Sequence, residues 1–134
     1  LGRRFRALKL WMVLQQVGLA QYGRLIARDI ALAGTLRTRL TAHPAFELVA
    51  GGPLSITCFR YRPAGVANLD DFTRRVAERV QRDGHAFLTT TELGGRPVLR
   101  ACLVNFRTTE SDLDRLLDAI AAAGEVILAE ATGR

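Results

Sequence analysis

Residues 86–106 read AFLTTTELGGRPVLRACLVNF. Two runs rich in threonine, leucine, valine and phenylalanine flank Gly94-Gly95, the pattern of antiparallel strands joined by a two-residue turn. Such a turn asks for positive φ at its centre, which glycine adopts without steric cost. The reading places strands at residues 86–93 and 96–106, with Pro97 tolerated near the start of the second. A hairpin of this kind needs further strands and a helical cover before it is stable, so the flanking sequence has to provide both.

Upstream of the hairpin, Leu69, Phe72, Val76 and Val80 share one helical face behind Asn68, a good N-cap. Asp70-Asp71 looks like a carboxylate pair, yet at a helix start acidic side chains stabilise the dipole, so these residues are read as capping. Earlier still, residues 46–50 and 55–62 are rich in β-formers and are separated by Gly51-Gly52-Pro53, with Pro63-Ala64-Gly65 closing the second run. Residues 19–41 carry Tyr22, Ile26, Ile30, Ala33, Leu36 and Leu40 at helical spacing. His43-Pro44 ends that helix, because the residue before proline is driven out of the α region. Residues 4–17 read as a first helix, broken at Gly18.

Downstream of the hairpin, Thr108 or Thr109 caps a final helix with Glu110 and Asp112 in its first turn and Leu113, Leu116, Leu117 and Ile120 facing inward. The order is ααββαββα. The expected fold class is α+β, a small and mostly antiparallel sheet covered on one face by helices.

At 134 residues, 49% hydrophobic and 24% charged, the chain has the composition of one globular domain able to bury a core. No apolar run approaches the ~18–20 residues that cross a bilayer. Cys58 and Cys102 lie in apolar strand-like runs without CxxC spacing, and are expected to be reduced core thiols in a reducing cytoplasm.

Charge is unevenly spread. The first 28 residues hold Arg3, Arg4, Arg6, Lys9, Arg24 and Arg28 and no acidic residue, whereas the remainder is balanced, so the formal charge of +6 belongs to the N-terminal segment. A transit peptide is Arg-rich and acid-poor, but this stretch lacks serine and runs without a cleavage-like break into a second apolar helix. A nucleic-acid arm asks for basic residues along one face with aromatic stacking groups, and Phe5 and Trp11 read better as packing surface beside Leu8, Leu10, Met12 and Leu14. A membrane-surface helix pairs a basic face with an apolar one, and here the basic residues crowd one end.

Self-contained chemistry is scarce. His43 and His85 are far apart and lack a carboxylate or cysteine partner at ligand spacing, so no metal site is expected. His43 is read as a helix-end residue and His85 as a turn or strand-start residue. The glycine pairs are turns rather than phosphate loops leading into a helix, and no serine or cysteine has a base close in sequence.

Three segments carry a family likeness: LGRRFRALKLWMVLQQVG at residues 1–18, SITCFRY at 55–61 and RPVLRACLVNFRTTESDLDRLLDAI at 96–120. They resemble the C-terminal small domain of the group II pyridoxal-phosphate-dependent amino-acid decarboxylases, the family of the aromatic-L-amino-acid, histidine, tyrosine and glutamate enzymes. The likeness runs from Leu1 to about Glu130, and the GRRFRALKLW block is its specific part.

The resemblance implies the C-terminal domain of a fold-type I enzyme, in which a large pyridoxal-phosphate-binding domain precedes this region and is absent from the chain. The Schiff-base lysine of the family follows a histidine in that large domain. No His-Lys pair occurs here, and Lys9, inside the arginine-rich block, is not its counterpart. The resemblance therefore implies no catalytic, cofactor-binding or metal residue in this chain, no pyridoxal phosphate bound to it alone, and no decarboxylation without the missing domain. It implies two pocket residues in the intact enzyme. Gly2 matches a glycine that reaches the substrate pocket of the neighbouring subunit and leaves room for an aromatic side chain, and Arg100 matches an arginine at the active-site entrance. The alternative for Arg100 is a sheet arginine paired with a helix carboxylate. Arg3, Arg4 and Arg6 are assigned to ordering the junction between domains, where the guanidinium fork suits hydrogen bonds and ion pairs.

The implied reaction is the conversion of an aromatic L-amino acid to amine plus CO2 by a cytoplasmic homodimer, without a nucleic-acid or membrane partner. Residues 89–97, TTTELGGRP, are of a kind common in bacterial members, which leaves substrate choice open. Two other readings make different demands. A stand-alone α+β ligand-binding or interaction module would hold its ligand at the sheet face, and an Arg-rich nucleic-acid binder would show strongly salt-dependent association.

Overall fold

The structure, a computed structural model, describes residues 5–84 and 86–132. The elements follow the expected order: α1 (Arg6–Val17), α2 (Leu19–Ala42), β1 (Phe46–Gly51), β2 (Ile56–Tyr61), α3 (Leu69–Arg82), β3 (Thr89–Leu93), β4 (Arg96–Cys102) and α4 (Glu110–Thr132). The four strands form one antiparallel sheet in the spatial order β1-β2-β4-β3. Gly94 and Gly95 both have positive φ, 58° and 73°, as the tight hairpin requires.

Strand alternation divides the sheet into a covered and an open face. Phe59, Tyr61, Leu99 and Ala101 join Leu36 and Leu40 of α2, Val76 and Val80 of α3, and Leu113 and Ile120 of α4 in a single core. On the opposite face Ile56, Arg100 and Cys102 are exposed, while Cys58, Arg60 and Val98 are buried. The helices thus cover one face, as the sequence predicts.

Three local solutions fix the helices against this sheet. Asn68 Oδ1 accepts from the backbone N–H groups of Asp70 and Asp71 at 3.2 and 3.1 Å, and so caps α3. Thr109 and Asp112 close the start of α4, with the Thr109 N–H and Oγ1 both donating to Asp112 Oδ2 at 2.7 Å. Gly124 lets α4 approach the aromatic cluster, because a Cβ there would stand 2.5 Å from Tyr61 Cε1 and 3.1 Å from Phe72 Cζ.

Both hairpin strands are shorter than expected. Gln81 donates its side-chain amide to the Leu88 carbonyl, which removes that group from strand pairing and leaves 86–88 as an irregular lead-in. At the other end β4 loses its partner once β2 has begun at Ile56, with a last contact from Leu103 N–H to Ser55 O at 3.0 Å. Cys102 corrects a further expectation. It is free but exposed at the end of the ladder, opposite Ile56, the first residue of β2, whereas Cys58, on the same face but inside the ladder, is free and buried.

Candidate functional site: an apolar cavity beside a bare helix and an open sheet face

Helix α1 is apolar along most of its length, yet none of its residues is buried. Trp11 is 59% exposed and Phe5 71%, and Leu8, Leu10, Met12 and Val13 are exposed as well. Gly18, with φ of 80° and its N–H bonded to Leu14 O at 2.9 Å, ends α1 and turns the chain directly into α2. The helix is therefore held by its junction and by one side of α2, and its remaining surface has nothing to pack against among the described residues.

Between α1, α2 and the loop after β4 lies a cavity of about 520 Å³ lined by Val13, Val17, Tyr22, Leu25, Ile26, Asp29, Ser55, Val104 and Phe106. Arginines of α2 tether the loops that contribute to it. Arg28 donates to Phe106 O and Thr108 O at 2.5 and 2.6 Å, and Arg37 donates to Gly52 O and Leu54 O at 2.8 and 3.1 Å. The two loops that carry Phe106 and Ser55 are thereby tied to one helix. Arg107 lies over the Phe106 ring, 5.4 Å from its centroid.

One ionisable carboxylate, Asp29, stands in the mostly apolar lining. Asp29 Oδ1 is sealed from solvent and has no hydrogen-bond partner among the described residues. Buried carboxylate oxygens are ordinarily paired, because desolvating them without a donor is expensive. The sequence pointed to this position weakly: Asp29 falls three residues after Ile26 and four before Ala33, on the apolar stripe of α2.

The open sheet face carries the second candidate group. Arg100 pairs in register with Cys58 on β2 and Thr89 on β3. It is exposed, and no ion pair or hydrogen bond from its guanidinium is present among the described residues. The alternative of a sheet arginine bonded to a helix carboxylate is realised by Arg60 instead, which pairs with Asp70. Burial pushes the Cys58 thiol up from its ordinary value, while the nearby Arg100 charge acts against that rise and Cys102 adds to it.

The other predicted positions are scattered. Lys9 and Arg6 are exposed on α1, and His43 is the C-cap of α2, as expected of a helix-end residue. Gly2, Arg3, Arg4 and His85 lie outside the described residues. No group of three His, Cys, Asp or Glu side chains that would hold a metal occurs among the described residues. No helix among them is long and apolar enough to cross a membrane.

Comparison with known proteins gives this geometry its context. The model of the pyridoxal-dependent decarboxylase conserved domain matches residues 1–62. An aromatic-L-amino-acid decarboxylase of Bacillus atrophaeus is 33% identical over 130 residues, 95% of this chain and 27% of the relative. The chain is thus similar to pyridoxal-dependent decarboxylases over nearly its whole length. Tryptophan decarboxylase 1 of Oryza sativa subsp. japonica is 38% identical over 74% of the chain and 20% of its own length. Among solved structures, Oryza sativa TDC with PLP and tryptamine superimposes with a TM-score of 0.80 at 31% identity, covering 95% of this chain and 28% of that one. A glutamate decarboxylase domain from Vibrio parahaemolyticus superimposes with a TM-score of 0.81 at 29% identity. The chain spans about a quarter of the length of these decarboxylases.

Pyridoxal phosphate does not fit the residues of the cavity. The cofactor asks for an amine to form its Schiff base and for donors around its phosphate. The cavity offers one carboxylate, the hydroxyls of Tyr22 and Ser55, and no lysine, arginine or histidine side chain in its lining. The cavity and α1 are surfaces rather than a cofactor site.

Proposed function

We propose that this chain is the C-terminal small domain of a pyridoxal-phosphate-dependent amino-acid decarboxylase that converts an aromatic L-amino acid to the amine and CO2. The observation that carries the reading is the likeness to an aromatic-L-amino-acid decarboxylase over 95% of the chain. The poor fit of the chain's own cavity to the cofactor supports a division of labour. Pyridoxal phosphate, the electron sink of the reaction, is held by a separate large domain, and this domain contributes surface. The bare apolar helix α1 is the natural seat of that larger body.

Within this reading two residues meet the substrate of the assembled cytoplasmic homodimer. Arg100 presents an uncommitted guanidinium on the open sheet face, suited to steering a carboxylate at the entrance of the active site. Gly2, with no side chain, leaves the neighbouring subunit's pocket wide enough for an aromatic ring. Neither residue carries the bond-breaking chemistry.

The test is a purified full-length polypeptide carrying this chain, loaded with pyridoxal phosphate and offered L-tryptophan, L-tyrosine, L-phenylalanine and L-glutamate in turn, with amine and CO2 measured. Aromatic amines as the main products support the proposal. Preference for glutamate overturns the substrate class, and no decarboxylation at all overturns the reading. Arg100→Ala should raise KM about tenfold, the loss expected of one charge-assisted contact, while leaving folding stability within ~0.5 kcal/mol, as for an exposed side chain.

A further inference from the structure

Asp29, a half-buried residue of α2, puts a carboxylate oxygen without a partner into an apolar cavity, and among the described residues only the Thr57 hydroxyl shares that isolation. Asp29 Oδ1 is buried and accepts no bond among the described residues. Its nearest basic neighbour in sequence, Arg28, is committed to the carbonyls of Phe106 and Thr108. The surrounding walls, Val13, Val17, Leu25, Ile26, Val104 and Phe106, are aliphatic or aromatic, and Val13 makes them continuous with the exposed side of α1. Such a surface selects an occupant with apolar bulk and a single positive charge at its tip, which is how arginine and lysine side chains fill apolar clefts.

We infer that the cavity is closed by a segment of the enzyme's large domain that inserts one basic side chain, and that this cation pairs with Asp29. The inference rests on the proposed decarboxylase reading and adds to it the chemistry of the contact. The relatives provide the source of the segment, since this chain accounts for only 27% of the length of the Bacillus atrophaeus decarboxylase. A second copy of the chain is the poorer occupant, because a two-fold contact centred on the cavity sets two unpaired carboxylates against each other.

The sign of one substitution decides the matter. Removing a buried, unpaired charge stabilises a fold, whereas removing the partner of a buried cation destabilises it. Asp29→Leu and Asp29→Asn should therefore raise the thermal midpoint of the 134-residue chain and lower that of the intact, cofactor-loaded enzyme by several degrees. Asp29→Glu, which keeps the charge, should retain most of the intact enzyme's midpoint. If Asp29→Leu raises the midpoint in both proteins, no cation reaches Asp29 and the inference is overturned. If it lowers a concentration-dependent midpoint in the chain alone, a second copy fills the cavity and the large domain does not. Should the chain alone not fold, the direction of the shift in the intact protein decides by itself. Absence of decarboxylation by the intact wild-type protein sinks the functional proposal, and the direction of the Asp29 shifts still reports on the pairing.

Discussion

Arg60 of β2 forms an ion pair with Asp70 in the first turn of α3, and the arginine side chain retains only 6% exposure. Its Nε also donates to Pro97 O at 2.9 Å, so one guanidinium ties together two strands and the start of a helix. The pair is lopsided, because the Asp70 side chain is 43% exposed. Removing the carboxylate leaves a buried cation with a single carbonyl acceptor, while the carboxylate itself is already half solvated.

Asp70→Ala should accordingly destabilise the domain by about 1–3 kcal/mol, below the loss seen when a fully buried pair is broken. Combining it with Arg60→Met should recover part of the loss, since no buried charge is then left alone. Urea denaturation of the two single variants and the double variant measures the coupling. A single-variant loss under ~0.5 kcal/mol would place the pair among ordinary surface contacts.

Gly124 shows a different constraint. A methyl group there meets the Tyr61 ring at 2.5 Å and Phe72 at 3.1 Å, and Tyr61 is itself packed on Phe46 with ring centroids 4.9 Å apart. Gly124→Ala gains roughly 1 kcal/mol of helix propensity and loses about 1–3 kcal/mol to overpacking. The clash is with two buried rings rather than a flexible surface side chain, so the net effect should be destabilising. A raised thermal midpoint in this variant would show that α4 moves away from β2 without loss.

The contrast between these residues explains what was legible in the sequence. Hydrophobic spacing located the inward faces of α3, α4 and the second half of α2, although Ile26 in its first half is exposed, and Gly94-Gly95 located the hairpin, because both signals are local. The ends of β3 and β4 were not legible, since they depend on Gln81 reaching Leu88 and on where β2 begins. The partners of Arg28, Arg37 and Arg39 lie far along the chain on loop carbonyls and on α4, so no spacing announces them. The site divides the same way. Arg100 was a candidate only through the resemblance of its VLR segment to the decarboxylases, whereas the isolation of the Asp29 oxygen emerges only when α1, α2 and the loop after β4 are brought together.

The start of α4 predicts a pH dependence. Hydrogen bonds from Thr109, with Arg115 adding to them, hold the Asp112 carboxyl at about 2, against an ordinary 3.8. A depressed carboxyl contributes stability that is fully present above its unfolded value and is lost as pH falls through the folded one. The wild-type chain should therefore lose stability between about pH 4 and pH 2 more steeply than Asp112→Asn, which has no such proton to bind. Denaturant midpoints collected across this window compare the two slopes, and parallel slopes would remove Asp112 as the cause.

Trp11, the single tryptophan of the sequence, turns the bare face of α1 into a reporter. It is 59% exposed beside Leu8 and Met12, in a helix with no buried residue. In dilute solution the chain alone should show the red-shifted emission of a solvated indole, and any process that covers α1 should shift it to the blue. Raising the concentration should cause that shift through self-association, because exposed apolar faces find one another when their proper partner is missing. Trp11→Ala should change folding stability by no more than ~0.5 kcal/mol, as for a side chain outside the core. Leu8→Glu, which charges the same face but keeps the fluorophore, should suppress the concentration-dependent shift. A blue-shifted emission that persists in Leu8→Glu at high dilution would mean that Trp11 is already packed within the chain, and α1 would then have no free face to offer a larger domain.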